Sequence, residues 1–490
     1  MNLHRDILRL AVPSILANIT VPLVGMVDIA VAGHLGASGG MSSAALIGGI
    51  SIGTMLFDML YWNFGFLRGG TGGLTAQAFG RFHAGDQDAV GDISVTLKRA
   101  LGIALCSGLA LVALQWVVVQ VAFLLVDCSP EVQTLATQYF YIRIWAAPAT
   151  LSLFAFKGWF IGMQDTVRPM ICDLLVNALN ILLSIGLGFG YAGLPALGFR
   201  GIAFGTLIAQ WAGFTYAALA VRHRYGWFFR SPAANKNEVN CSQPQTEDSR
   251  HEQKRPKLFA SGDHGWRAFF VLNRDLFLRS LCMIAVYIGF TMISARYGDM
   301  MLAVGAILMK LLMIFSYFTD GFAYAGEALT GRFIGERSRD GVLSTVRQTF
   351  VWSLGVTVLF FLVYGIGGVP LLRLMTSDAS VVEAGREFIP WLLLMPVIGC
   401  PAFTWDGIFM GATASKDLRN STAWCVVGFF GVWFLGILAV RALRGDVPET
   451  LAIHVLMAAY FAHLMARTIV LTVRYRGDVL QRHFPEYQSL

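Results

Sequence analysis

The sequence predicts an all-α polytopic membrane protein, with twelve transmembrane helices arranged as two pseudo-symmetric halves around a central cavity. Three observations predict it. Hydrophobic residues make up 56% of the 490 positions and charged residues 14%, and the mean hydropathy is +0.61, more apolar surface than a soluble core of this length needs. Apolar stretches long enough to cross a bilayer, about 20 residues each, recur along the whole chain. Three short motifs also occur twice in the same order. Arg5-Asp6-Ile7 returns as Arg274-Asp275-Leu276, and Leu74-Thr75 with Gly80 returns at the same spacing as Leu329-Thr330 with Gly335. Gly158 and Gly162, after Pro148, return as Gly407 and Gly411, after Pro396. One match in a chain with 52 glycines carries little weight, but three collinear matches flanking one polar segment imply a duplicated membrane bundle. Two such halves enclose a cavity, and rocking one against the other alternates its access.

The spans are placed at 6–33, 42–79, 97–126, 131–162, 168–192 and 196–221, then at 272–296, 300–334, 342–375, 384–412, 419–442 and 450–474. These runs are continuous, whereas barrel strands alternate over about ten residues. The first span imitates a signal peptide, with Arg5 before an apolar run and Ala30-Val31-Ala32 before Gly33. Its run is longer than a signal core of about 7 to 15 residues and contains Pro13, Pro22 and Asp28, so it reads as an uncleaved span. The second and eighth spans exceed a perpendicular crossing and imply tilt, kinks or extension beyond the bilayer. Gly69-Gly70-Thr71-Gly72-Gly73 in the second span lacks the Lys-Ser or Lys-Thr of a phosphate loop and reads as a close helix contact.

Lys and Arg set the orientation. The connections 34–41 and 127–130 carry none, while Arg81, Lys98, Arg99, Arg168, Arg332, Arg337, Arg339, Lys416, Arg419, Arg474, Arg476 and Arg482 fall on the other side, with exceptions at Arg373, Arg386, Arg441 and Arg444. Both termini are therefore expected in the cytoplasm, and the net charge of +7 reflects topology rather than nucleic-acid binding. The domains are an N-terminal lobe over 1–221, a cytoplasmic polar linker over 222–266, a C-terminal lobe over 267–476 and a cytoplasmic tail over 477–490. The linker carries eight Lys or Arg against four acids between Arg222 and Lys257 and suits contact with anionic lipid or plain solvation. Seven cysteines form no CxxC pair.

Chemistry in such a chain concentrates at ionisable residues within spans. Asp28 lies toward the outer end of the first span with no Lys or Arg within a turn or two. A carboxylate there is costly to keep ionised, which makes it the candidate protonation site. Asn177, Asn180 and Ser184 share one face of the fifth helix; they either bond helix to helix or complete a site with Asp28. In the eighth span Tyr317, Asp320 and Glu327 form an acidic, aromatic face suited to a cationic amphipathic substrate, or else to an internal salt bridge with Lys157 or Arg296. Lys157 and Asp406 each precede the first glycine of the duplicated GxxxG and are candidates for a charge pair between the lobes, with local pairing to Asp165 or Lys416 as the alternative. Asp58, Arg68, Arg143 and Asp173 are further charges without an assigned role, and His454 and His463 read as packed histidines rather than metal ligands.

Several segments together resemble one family. These are Val27-Asp28-Ile29-Ala30-Val31-Ala32-Gly33-His34-Leu35-Gly36, Gly65-Phe66-Leu67-Arg68 with Leu74-Thr75-Ala76-Gln77, and Gly158-Trp159-Phe160-Ile161-Gly162-Met163-Gln164. With Asp320-Gly321-Phe322-Ala323, Glu327-Ala328-Leu329 and Asp406-Gly407-Ile408-Phe409-Met410-Gly411-Ala412-Thr413, they resemble the multidrug and toxic compound extrusion family, and within it the DNA-damage-inducible branch. The resemblance implies two six-helix lobes and export of cationic drugs driven by inward proton or sodium flow. It also implies that Asp28 is the first-helix aspartate protonated in this branch, that Pro13 marks the bend of that helix, and that Asn180 is a polar partner in the fifth. Many relatives carry an aspartate where Ser184 stands, so a two-carboxylate ion site is not expected here.

These readings converge on a proton-driven antiporter in a bacterial inner membrane, a monomer with no cofactor and no metal, whose partners are small organic cations, the proton and membrane lipids. Sodium coupling and a flippase for lipid-linked precursors are the alternatives, the latter expected to need a cationic cavity. An enzyme is not expected, because HExxH and DDxxD are absent and no Ser/His pairing supports a nucleophilic site.

Overall fold

In hydrocarbon every backbone amide must find its partner within the protein, so long apolar runs become helices. The computed structural model describes residues 2–38, 42–125, 128–229, 263–376 and 378–485. Among them, twelve helices are long and apolar enough to cross a membrane. The first six are α1 (Leu3–Leu35), α2 (Ser43–His83), α3 (Ala89–Ala113), α4 (Pro130–Gly162), α5 (Val167–Phe189) and α6 (Phe199–Phe229). The second six are α7 (Trp266–Ala295), α8 (Met300–Gly335), α9 (Arg339–Met375), α10 (Ile389–Gly411), α11 (Ser415–Arg444) and α12 (Glu449–Gln481). Twelve crossings return both ends of the chain to one face, the terminal face. Leu124, Ile366 and Leu443 are among the many large apolar side chains left exposed around the bundle, as a lipid-facing surface requires.

Local chemistry sets the helix ends. Ser129 caps α4, accepting from the Val132 amide at 3.4 Å, with Pro130 in the first turn where its missing N–H costs nothing. The third span differs from the hydropathy reading of 97–126. Helix α3 begins at Ala89, because Arg81 at the end of α2 pairs with Asp92 in its first turn, and it ends at Ala113 before a separate helix, Gln115–Leu125. Of the linker expected over 222–266, residues 222–229 finish α6 and 263–266 lie in the helix Asp263–Ala295; the rest falls outside the described residues. Within the tail expected over 477–490, a π-helical turn, Tyr475–Gln481, continues the last helix, and Val479, Leu480 and Phe484 are buried in the apolar core.

The duplication is visible in the packing. Side chains at Gly158 and Gly162 of α4 would collide with the carbonyls of Arg68 and Gly72 in α2. At Gly407 and Gly411 of α10 they would collide with the carbonyls of Ala323 and Glu327 in α8. Each contact of the first half therefore recurs in the second at matching register, with small residues admitting close backbone approach.

The halves do not separate equally along their length. One apolar cluster, containing Leu3, Ile7, Leu10, Leu74 and Ile161 with Phe269, Phe322, Phe409, Leu480 and Phe484, is shared by both near the terminal face. Toward the opposite face each half has its own cluster, around Phe57, Phe140 and Ile202 in the first and around Phe290, Phe315 and Leu456 in the second. The halves are thus joined at the terminal end and divided at the other.

Candidate functional site

The Asp28 carboxylate is 5% exposed. It accepts from the Ser184 hydroxyl at 3.0 Å, and Ser184 lies 3.4 Å from the Asn180 side-chain oxygen one helical turn away. The Asn180 amide donates to Thr206 of α6 at 2.8 Å, and Thr206 bonds the Ile202 carbonyl at 3.3 Å. Ser184 carries a single hydrogen and faces two acceptors. Among the described residues Asp28 has no ion pair within 4.0 Å; Arg143 is the cation within electrostatic range of it, and that guanidinium stacks on Phe57 and donates to the Tyr139 hydroxyl at 2.9 Å.

The polar face of α5 divides its work. Asn180 and Ser184 meet Asp28, but Asn177 donates to Thr20 of α1 at 2.6 Å and ties the two helices together without joining the carboxylate. The first helix runs unbroken over Leu3–Ser38 through Pro13 and Pro22. Pro13 cannot donate to the Arg9 carbonyl, and the Thr166 hydroxyl occupies that acceptor at 3.3 Å. The expected place of the bend therefore carries a freed backbone group with a side-chain partner.

The second group of charges lies where the halves meet. Glu327, 1% exposed, pairs with Arg68 of α2 at 3.1 Å, and Arg68 stacks over the Tyr324 ring at 4.3 Å. Asp406 is shared by Arg279 of α7 and Arg467 of α12, the latter donating through Nε at 2.9 Å. The expected pair between Lys157 and Asp406 does not form. Lys157 meets Asp173 of α5 at 2.5 Å, so each charge finds its counterion within its own half. The internal salt bridge, one of two alternatives for this face of α8, forms at Glu327 with Arg68, not with Lys157 or Arg296.

The acidic face of α8 is also not acidic in its surroundings. Three arginines from α2, α7 and α12 face Asp320, Glu327 and Asp406. Asp320 accepts from Ser316 at 3.3 Å and is the one of the three acids without an ion pair among the described residues. Tyr317 is half-buried beside it, and its carbonyl accepts from Asn18 of α1 at 3.4 Å. Sequence reasoning passed over Arg279 and Arg467, although each is a lone cation in an apolar run, a signal that marks functional positions in membranes. His454 lies between Trp391 and Glu387, at 2.8 and 3.1 Å, and His463 contacts the Tyr460 carbonyl.

At the terminal face the halves clasp each other symmetrically. Gln77 donates to the Thr413 hydroxyl at 3.2 Å and to the Gly411 carbonyl at 3.0 Å, while Arg332 donates to the Gln164 side-chain oxygen at 3.1 Å. Gln77 and Arg332 occupy the same place in the two copies of the Leu-Thr motif, and Gln164 and Thr413 are both left-handed residues ending their GxxxG helices, at φ 58° and 52°. Gly80 and Gly335 complete the seam: a side chain on Gly80 would strike the Arg332 carbonyl, and one on Gly335 the Gln77 carbonyl.

Two repeated six-helix halves, sealed at one face and divided at the other with buried carboxylates between, define a polytopic membrane transporter. The model of the MatE family matches residues 13–185 and 276–432, and the chain belongs to that family. It is 33% identical over 421 residues to the DNA damage-inducible protein F of Escherichia coli, covering 86% of this chain and 83% of that protein. It is 22% identical over 436 residues to the probable multidrug resistance protein NorM of Thermotoga maritima, covering 88% and 83%. Among solved structures, a MATE protein in the bent conformation superposes with a TM-score of 0.76 at 15% identity, covering 98% and 96% of the two chains. A Pyrococcus furiosus transporter of the MOP superfamily, described as having a binding pocket of reversed polarity, gives 0.75 at 18% identity over 98% and 97%. Likenesses at these identities show the fold.

Proposed function

We propose that the protein is a secondary active antiporter that exports organic, cationic amphipathic compounds in exchange for protons by alternating access, with Asp28 carrying the proton. Its terminal face lies in the cytoplasm of a bacterial inner membrane, which agrees with the Lys and Arg concentrated there. The multidrug resistance name of one relative agrees with the substrate class.

The observation that carries the reading is the Asp28–Ser184–Asn180 arrangement. A buried carboxylate without an ion pair is the group whose charge can be removed by a single proton. While Asp28 is ionised, the one Ser184 hydrogen serves it. Once Asp28 takes a proton it becomes a donor, Ser184 becomes its acceptor, and the Ser184 hydrogen turns to the Asn180 oxygen. Protonation thus reorders the bonds between α1 and α5 without leaving a buried donor unmade, while Asn180 keeps its bond to Thr206 of α6. Loss of the charge on α1 also removes attraction for a bound cation, which couples proton entry to cation release. On the second half, Asp320 beside Tyr317 is the acid left for a cationic substrate, because Arg68, Arg279 and Arg467 occupy the other two.

The test is transport by purified protein in liposomes under a proton gradient or a sodium gradient imposed separately. A fluorescent organic cation is expected to move with the proton gradient, and Asp28→Asn, inserted at wild-type level, is expected to abolish that movement. Wild-type rates in Asp28→Asn would overturn the role of Asp28, and movement driven by sodium alone would overturn proton exchange.

A further inference from the structure

We propose that a cavity in the second half, at the terminal face, binds a phosphate ester carrying a primary ammonium group, the chemistry of an ethanolamine phospholipid headgroup. The cavity has a volume of about 560 Å³ and lies between the start of α7, the connection from α10 to α11 and the end of α12. That volume is within the range of small-molecule sites, and its position, where three spans leave the membrane, is the level of lipid headgroups.

The internal repeat shows what the cavity lacks. In the first half, Asp165 follows the left-handed Gln164, accepts from the Tyr225 hydroxyl at 2.6 Å and pairs with Arg168, filling the place beneath α5 and α6. In the second half the residue after the left-handed Thr413 is Ala414. The carboxylate is missing there, and in the same register Asp417 stands in the place of Arg168. Lys416 and Arg482 line the cavity and have no ion pair among the described residues, and Arg474 reaches only Asp478, at 3.8 Å. Phosphate oxygens meet such groups with charge-assisted hydrogen bonds.

The cavity is not simply basic, which argues against a plain anion. Asp275 on its wall is satisfied by Arg274 at 3.1 Å, Arg419 at 2.8 Å and Ser415 at 3.4 Å. Asp417 is different: it is 7% exposed, lines the cavity, and its side chain makes no hydrogen bond or ion pair within 4.0 Å among the described residues, with Lys416, Arg474 and Arg482 as the cations around it and Asp478 as a second acid. A buried carboxylate without a partner is costly, and an ammonium from the same ligand supplies three donors. A ligand with both charges satisfies Lys416, Arg482 and Asp417 together. A choline headgroup has no N–H to give, and a glycerol headgroup has no cation.

The test uses full-length protein in detergent with ethanolamine, choline or glycerol phospholipid of identical acyl chains, bound lipid being counted by native mass spectrometry. Ethanolamine lipid is expected to be retained about tenfold over choline lipid, the worth of one hydrogen bond to a charged group. Asp417→Asn is expected to erase that preference, and Lys416→Gln with Arg482→Gln to weaken all three lipids. Competition by free phosphoethanolamine identifies a soluble ligand, and its failure to compete identifies the lipid. Equal retention of the three lipids, stronger retention of the glycerol lipid, or an intact preference in folded Asp417→Asn would overturn the proposal.

Discussion

At the scale of single residues, the Ser184 hydroxyl gives the proposed proton site at Asp28 its distinctive chemistry. A second carboxylate at that position would add a charge needing its own counterion, whereas a hydroxyl serves either protonation state of Asp28 by turning its hydrogen. Ser184→Ala leaves the ionised form without its donor. The loss of a hydrogen bond to a charged group, about 1.5 to 3 kcal/mol, is expected to slow proton-driven export by about tenfold or more. Ser184→Thr, which keeps the hydroxyl, is expected to retain most activity, and transport rates of the two variants at matched expression check this. Asp28, Asn180 and Ser184 were legible in the sequence because polar groups in an apolar helix are conspicuous. Their grouping was only half legible, since helical periodicity placed Asn177 on the same face although its bond goes to Thr20. The partners of Glu327 and Asp406 were not legible, because their counterions come from helices distant in the chain, and that of Lys157, although on the next helix, is selected only by how the two helices pack.

At the scale of elements, hydropathy located all twelve spans but not their polar ends. Helix α3 begins among charged residues that an Arg81–Asp92 pair stabilises, and the last helix ends in a polar segment that nevertheless packs. That segment supplies a pH dependence. His483, beyond the membrane span, has its imidazole pushed down to about 4 from an ordinary 6.5, first by burial and then by Arg482. Its ring contacts the Ala412 carbonyl at 3.2 Å through Nε2. Because the undocked chain binds a proton below 6.5 that the docked ring refuses, docking is fully stable above pH 6.5 and weakens as pH falls toward 4. The protection of residues 475–485 against hydrogen exchange, taken relative to the intrinsic amide rate at each pH, is expected to fall between pH 7 and pH 5, and His483→Gln, which keeps a neutral donor, is expected to remove that change.

At the scale of the whole molecule, the duplicated motifs do more than build two similar halves. The copies of the Leu-Thr-Gly segment cross each other at Gly80 and Gly335, and the equivalent residues Gln77 and Arg332 each reach the residue that ends the opposite GxxxG helix. Alternating access requires this seal to open as the other face closes, so its strength sets the ratio of the two states. Replacing both Gln77 and Arg332 with Ala removes interactions worth about 1 kcal/mol net each, a factor of roughly thirty in that ratio if they add. Spin labels on the connections of the opposite face, introduced by Leu194→Cys and Arg296→Cys in a background without native cysteines, report the outcome. The double-alanine variant is expected to shift the distance distribution toward the shorter separation of a closed opposite face, and an unchanged distribution would show that the clasp does not hold the halves in the state seen here.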